Sequence, residues 1–204
     1  IAAPAAASSK GRAVAEATHH ASHRAAFGRL LSEQPLMTNV LADLCVESEA
    51  ATVTALRVAR AYDEGDAAFR RLATAVAKYW VCRVAPGHVA EALECIGGNG
   101  YVEESVLPRL HREAPVNSIW EGAGNIQCLD VLRAAQKQPD SLGAFLAEVE
   151  LAAGADLRLD AAIAELRSEL ADPDDLELRA RRIVERLALC LQGSLLVRHA
   201  PPDV

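Results

Sequence analysis

Apolar residues recur every three or four positions along almost the whole chain, the period of an α-helix that buries one face. On that pattern a first helix is expected from about Gly11 to Phe27, closed by Gly28. A second should run from about Gln34 to Tyr62, with Met37, Leu41, Leu44, Ala51, Ala55 and Tyr62 along one face. A third covers roughly Ala67 to Ile96, with Phe69, Leu72, Val76, Trp80 and Val84 on its buried side. Pro86-Gly87 is expected to kink or split it, because proline removes an amide donor and crowds the preceding turn. A fourth helix spans about Gly124 to Gln138. Four long helices with short joints imply an all-α, antiparallel four-helix bundle.

The joints carry their own signals. Gly65 suits a helix C-cap, and the three glycines of Gly97-Gly98-Asn99-Gly100 permit backbone shapes a helix forbids. Past Pro139 three further helices are expected, from Asp140 to Ala152, Asp156 to Leu170 and Asp174 to His199. Each opens on an aspartate that can serve as N-cap. The face formed by Ile183, Leu187, Leu191 and Leu195 can bury against the bundle. This gives three parts: a flexible Ala/Pro-rich lead or cut end over 1–11, a bundle over 12–138, and a helical extension over 139–204.

Composition narrows the class. Hydrophobic residues make up 51% of the 204 but aromatics only 4%, a balance that favours helices over sheets. Residues 1–138 carry 14 basic and 15 acidic side chains, while 139–204 carry 7 and 13. The net charge of −7 argues against general affinity for nucleic acid or anionic membranes. No apolar run is long enough to span a bilayer. The five cysteines are scattered without a CxxC or Cys/His cluster, which fits a reduced, cytoplasmic setting and argues against zinc. His19, His20 and His23 lack the acidic or thiol neighbours of a metal site.

Candidate chemistry concentrates between Glu94 and Arg133. Glu121 lies just before the fourth helix, between Trp120 and the glycines 122 and 124. A carboxylate there can simply stabilise the positive end of the helix dipole. It can equally act as a general base, with the glycines leaving room for a substrate and Trp120 forming a flat apolar wall. Gly97–Gly100 is either a helix cap with a tight turn or a set of backbone amides offered to a pyrophosphate. Arg24 and Gln34 are either solvated helix residues or cofactor clamps. Glu103 and Glu104 are expected to be solvated and to pair with Arg109 or Arg112, which can also reach Glu113.

Residues 94–133, ECIGGNGYVEESVLPRLHREAPVNSIWEGAGNIQCLDVLR, resemble the C-terminal helical domain of the acyl-CoA dehydrogenase family. HRAAFGRLLSEQPLMTNVLADL, residues 23–44, resembles the opening helices of the same domain. Within that family the Trp before Glu121, Asn125 four residues after it and the extension to residue 204 resemble the branch of the adaptive response to alkylation damage. The resemblance implies an FAD-dependent α,β-dehydrogenation of an acyl-CoA thioester, with Glu121 as the base that removes the α-proton. It places Arg24, Phe27 and Gln34 against FAD, typically that of a neighbouring subunit in a dimer or tetramer, and Gly97, Gly98 and Asn99 at a turn that also meets the cofactor. Ile119, Trp120, Gly122, Ala123, Gly124, Asn125 and Gln127 would line the flavin. The family's N-terminal helical and middle β-domains are not among these residues, so the chain reads as a piece of a longer protein. The branch is associated with DNA binding through a basic C-terminal region, which the acidic extension here disfavours. Two alternatives remain on sequence: a non-catalytic flavoprotein that protects DNA, and a helical oligomerisation module.

Overall fold

The computed structural model describes residues 2–201. Nine α-helices are found among them: α1 (Ala2–His23), α2 (Pro35–Asp63), α3 (Ala67–Ile96), α4 (Gly98–Tyr101), α5 (Leu107–Glu113), α6 (Gly124–Lys137), α7 (Pro139–Glu150), α8 (Leu157–Ala171) and α9 (Leu176–His199). A two-stranded hairpin, β1 (Ala25–Ala26) with β2 (Arg29–Leu30), and two 3-10 turns, Leu31–Glu33 and Ala114–Ser118, complete the order. The fold is all-α, as the hydrophobic period predicts. No helix of the described residues is long and apolar enough to cross a membrane.

The chain gathers into two compact units. One comprises the described part of Ile1–Thr52 together with Val81–Trp120, the other Val53–Trp80 with the described part of Glu121–Val204.

The first unit corrects the expected start. Over the described residues the segment expected to be a flexible lead is helical: α1 begins at Ala2, and Ala2, Ala6, Lys10, Ala13, Ala17 and Ala21 form a buried stripe at helical spacing. Alanine is the best helix former and lets a neighbouring backbone approach closely, while Pro4 sits in the first turn, where no intrahelical donor is lost. Lys10 is only 2% exposed and reaches Glu47 Oε2 at 3.2 Å. Glu47 also meets His88 Nδ1 at 3.2 Å. Burial pulls the Lys10 ammonium below its ordinary pKa. The hydrogen bond to His88, helped by the charge of Lys10 and opposed by burial, brings the Glu47 carboxyl down to about 2. The core behind this cluster joins Ala13, Ala17 and Ala21 to Leu41 and Leu44 of α2 and to Val89, Ala92 and Cys95 of α3.

The second unit holds the larger core. Phe69, Leu72 and Val76 of α3 meet Cys128 and Val131 of α6, Phe145 and Val149 of α7, Ile163 and Leu166 of α8, and Ile183, Leu187, Leu191 and Leu195 of α9. The expected face of α9 is thus buried in full. Two charged ties fix the helices. Arg71 grips Asp130 with two hydrogen bonds of 2.8 and 2.9 Å, and Glu148 accepts from Arg57 at 2.8 Å and from Arg198 at 2.6 Å. The Arg57 guanidinium also lies 4.0 Å from the centre of the Phe69 ring.

Several boundaries differ from expectation for identifiable reasons. The α2–α3 corner is a Schellman turn: Gly65 at φ 72°, with the Asp66 amide donating to Ala61 O and the Gly65 amide to Tyr62 O. The same Asp66 accepts from the Phe69 amide at 3.1 Å and so opens α3. Tyr62 is 54% exposed rather than buried, its ring covered by Arg70. α3 continues unsplit through Pro86. Of the three expected aspartate caps only Asp156 caps with its side chain, accepting from the amides of Arg158 and Leu159. α7 opens on Pro139 instead, and α9 follows Asp175, which takes a left-handed conformation.

Candidate functional site

In the first unit the expected helix over Arg24–Phe27 is replaced by the hairpin. Ala26 pairs with Arg29, which leaves Phe27 and Gly28 as a two-residue loop. Both have positive φ, 54° and 85°, the combination of a type I′ turn. Phenylalanine is a poor choice for that conformation, and here its ring is 98% exposed. Arg24 is exposed at the base of the hairpin, where its carbonyl accepts from the Leu31 amide at 2.8 Å. Gln34 braces the loop, its Nε2 donating to Ala26 O at 3.1 Å. α1, which leads into the hairpin, packs against both the 31–33 and the 114–118 turns.

The glycine-rich segment, also in this unit, caps the end of α3. Gly97 lies at φ 67°, ψ −144°, a region that side chains other than hydrogen do not tolerate. Its amide is already used by Glu94 O and that of Gly100 by Gly97 O, both at 2.9 Å. A Cβ on Gly100 would come within 2.5 Å of Leu93 O, whereas Gly97 and Gly98 face open space. Asn99 is exposed beside them. Ile119 and Trp120 are 62% and 48% exposed, so two large apolar side chains lie uncovered at the end of this unit. Glu103 and Arg112 form a bidentate pair, and Arg109 pairs with Glu113, as expected of a solvated surface.

In the second unit Glu121 opens a strained turn. It has φ 57°, and Gly122 follows at φ 103°. Glu121 is exposed, and Ala123, the N-cap residue of α6, brings no side-chain acceptor to the helix start. Gln127, one turn into α6, reaches back: its Nε2 donates to Glu121 O at 2.8 Å and to Gly122 O at 3.4 Å. Gly124 lets α6 approach Tyr79, since a Cβ there would meet the ring at 3.3 Å. Asn125 is exposed and accepts from Arg181 Nε of α9 at 2.8 Å. These two residues border a groove of about 430 Å³ whose floor includes Cys128 and Leu129. Burial pushes the Cys128 thiol up to about 11, so it stays protonated and serves packing.

One residue of this region escaped the sequence reading. Lys78 of α3 is 5% exposed, and its Nζ donates to Gly122 O at 2.6 Å. Its signal is present in hindsight: α3 is apolar on nearly every side from Leu72 to Cys82, and a charged residue inside such a stretch needs a partner.

Among the described residues only Phe27, Glu121 and Asp175 adopt positive φ without being glycine. Two of the three are residues that the sequence marks for cofactor contact and for proton transfer.

Comparisons with known proteins agree with this picture. The family model described as "Acyl-CoA dehydrogenase, C-terminal domain" matches residues 2–136. The putative acyl-CoA dehydrogenase AidB of Escherichia coli (strain K12) is 43% identical over 200 residues, covering 95% of this chain and 36% of that protein. Acyl-CoA dehydrogenase family member 11 of Caenorhabditis elegans is 32% identical over 216 residues, 93% of this chain and 35% of that protein. The chain therefore spans about a third of these relatives' length. The crystal structure of Caenorhabditis elegans ACDH-11 in complex with C11-CoA superposes with a TM-score of 0.88 at 30% identity, over 98% of this chain and 38% of that one. Butyryl-CoA dehydrogenase from Megasphaera elsdenii gives 0.62 at 29% identity over 67% of this chain and 35% of that one. The match over two thirds of the chain, with the all-α fold, establishes that this chain belongs to the acyl-CoA dehydrogenase family and carries its C-terminal domain.

Proposed function

We propose that the protein containing this chain is an FAD-dependent oxidoreductase that dehydrogenates an acyl-CoA thioester between its α and β carbons, with Glu121 as the base. The observation that carries the reading is the conformation of Glu121. An exposed glutamate at φ 57° is held from its own backbone by Gln127 and followed by a glycine that no other residue could replace cheaply. Strain of this kind at an exposed acid supports reading the side chain as one kept for its chemistry.

The residues present suit a flavin dinucleotide. The open flank of Gly97 and Gly98 admits close approach to the backbone, and exposed Phe27, Ile119 and Trp120 offer apolar faces to planar rings. Arg24 supplies a cation for a phosphate. When bound, FAD accepts the β-hydrogen as hydride. Glu121 takes the α-proton onto its carboxylate, a step whose rate depends on how firmly that carboxylate is aimed. Gly122, Ala123, Gly124 and Asn125 would border the flavin at the start of α6, and Gln127 braces the turn. Arg24, Phe27, Gln34 and the 97–99 turn would contact the FAD of a neighbouring subunit in a dimer or tetramer.

Support for the extension as a branch feature comes from coverage: AidB matches 95% of the chain, whereas butyryl-CoA dehydrogenase matches 67%. That fits a bundle ending near 138 and an added 139–204 segment. A DNA-binding role for the extension gains nothing from its arginines. Arg182 and Arg186 pair with Glu169, Arg186 also meets Glu165, and Arg179 is drawn to Glu169 and Asp172. We keep the enzymatic reading, in a cytoplasmic setting, over the DNA-protective one.

The test is reduction of the flavin in the full-length protein on mixing with an acyl-CoA. Glu121→Gln should retain FAD and slow bleaching of the flavin band by about 10²- to 10⁴-fold, the scale of a positioned general base. Bleaching that survives the substitution would remove Glu121 from the role.

A further inference from the structure

We propose that Lys78 is the positioning residue of the Glu121 turn: its buried ammonium, fixed on α3, holds the Gly122 carbonyl and thereby sets the direction in which the Glu121 side chain leaves the backbone. The proposal rests on the reading of Glu121 as the base.

Three observations meet here. First, the bond is short and made by a side chain that is almost wholly buried: Lys78 is 5% exposed, and Nζ stands 2.6 Å from Gly122 O. A carbonyl at the edge of a loop can be satisfied by water at no cost, so Gly122 does not need a lysine. Burying an ammonium, by contrast, is expensive unless it is directed at an acceptor. Second, the turn it holds is one the chain would not adopt unaided. Glu121 at φ 57° and Gly122 at φ 103° are both outside the favoured regions for L residues. Gln127 grips the same turn from α6, the helix into which the turn leads, so it stiffens the turn without tying it to a second element. Lys78 is 44 residues distant, on a helix anchored by Leu72, Val76 and Tyr79 in the core. Third, its neighbour on α3 addresses the next part of the same loop. The Tyr79 ring lies where a Cβ on Gly124 would be 3.3 Å away, so consecutive residues of α3 register Gly122 by a hydrogen bond and Gly124 by contact. Lys78 touches neither substrate nor cofactor in this scheme and acts through Glu121 alone.

The test compares Lys78→Met, Lys78→Arg and Glu121→Gln in the full-length protein loaded with FAD. Lys78→Met keeps the length and apolar stem but removes the donor. Flavin bleaching should slow by about 10- to 100-fold, the cost of a small misplacement of a catalytic group, with the KM for acyl-CoA changed far less than kcat. Lys78→Arg, which keeps a cation and its donors, should recover most of the rate. Independently of activity, a glutamate-specific protease should cut the 121–122 bond faster in Lys78→Met, with cutting at the exposed Glu103 and Glu104 unchanged. If Lys78→Met fails to fold, Lys78→Gln, too short to reach Gly122 O, replaces it with the same expectations. A bleaching rate and a 121–122 cleavage rate both equal to wild type would overturn the proposal, as would equal rates for the Met and Arg variants. If Glu121→Gln still bleaches, the base reading fails instead, and the protease measurement still decides whether Lys78 holds the turn.

Discussion

Replacing Gly122 by alanine tests the turn without touching a charged group. At φ 103° the new Cβ would stand 2.5 Å from Gln127 Nε2, closer than any real contact, so Gln127 must leave. Two costs add. An L residue forced into positive φ is destabilised by about 1–2 kcal/mol. Losing the 2.8 Å bond from Gln127 to Glu121 O costs roughly 0.5–1.5 kcal/mol more. The expected loss is about 1.5–3.5 kcal/mol, which for a chain of this size lowers Tm by roughly 3–14 °C. Gly124→Ala is the internal comparison. It too removes a glycine of the same loop, but at the first position of α6 and with a contact of 3.3 Å to the Tyr79 ring that a few tenths of an ångström relieve. Gain in helix propensity offsets that adjustment, so the net change should stay within about 1 kcal/mol. Thermal unfolding followed by circular dichroism separates the two. Equal melting temperatures for the alanine variants, or a Gly122→Ala protein as stable as wild type, would refute the argument from backbone geometry.

Glu148→Gln strips the charge between Arg57 and Arg198, whose partner carboxylate is only 10% exposed. The cost should approach the 3–5 kcal/mol typical of a broken buried pair, reduced to about 2–3 kcal/mol by the one acceptor that glutamine keeps, and denaturant unfolding reads it directly. Glu47, lowered from 4.5 to about 2, stabilises the fold above its unfolded value, and that contribution fades as pH falls from about 4.5 toward 2. Because the side chain is 54% exposed, the effect is screened to the order of 1 kcal/mol. Glu47→Gln should therefore flatten the acid limb of the stability–pH curve, and an unchanged limb would contradict the assignment. Phe27→Asn places at the hairpin tip a residue that tolerates φ 54°, so the chain should gain about 1 kcal/mol in unfolding while the full-length protein retains less FAD. A variant that loses stability there would mean the ring is held by the fold itself.

What the sequence disclosed follows from how each signal is written. The α9 face of Ile183, Leu187, Leu191 and Leu195 was legible because large aliphatic residues at helical spacing have nowhere to go but a core. α1 was misjudged at its start because its buried stripe is built of alanines, which carry little hydrophobic contrast against Ala/Pro-rich surroundings. The hairpin at Phe27-Gly28 lacks the Asn-Gly or Asp-Gly pair that announces a type I′ turn, so period alone extended the helix through it. Asp66, which the hydrophobic period leaves between the second and third helices, is the cap that starts α3. Gly97–Gly100 reads from sequence as cap or anion nest, and the amide partners of Gly97 and Gly100 show the cap. The Lys78 bond was beyond reach for a different reason. Its acceptor is a backbone carbonyl, which every residue possesses, so no residue type at position 122 encodes the pairing.

The distribution of strain ties these threads together. A chain can occupy left-handed positions at little cost by placing glycine there, and this one does so at residues 28, 65, 97, 122 and 154. Asp175, at the start of α9, is the ordinary exception, since aspartate tolerates that conformation. Phe27 and Glu121 are not ordinary. Neither side chain is buried, so core packing does not account for either residue, and glycine would relieve the backbone conformation at both positions. The proposed function gives both side chains a use that offsets the strain, Phe27 as an exposed ring for a flavin and Glu121 as a carboxylate for the α-proton. Each also comes with its own brace from the chain, Gln34 on the carbonyl before Phe27 and Gln127 on the carbonyl of Glu121.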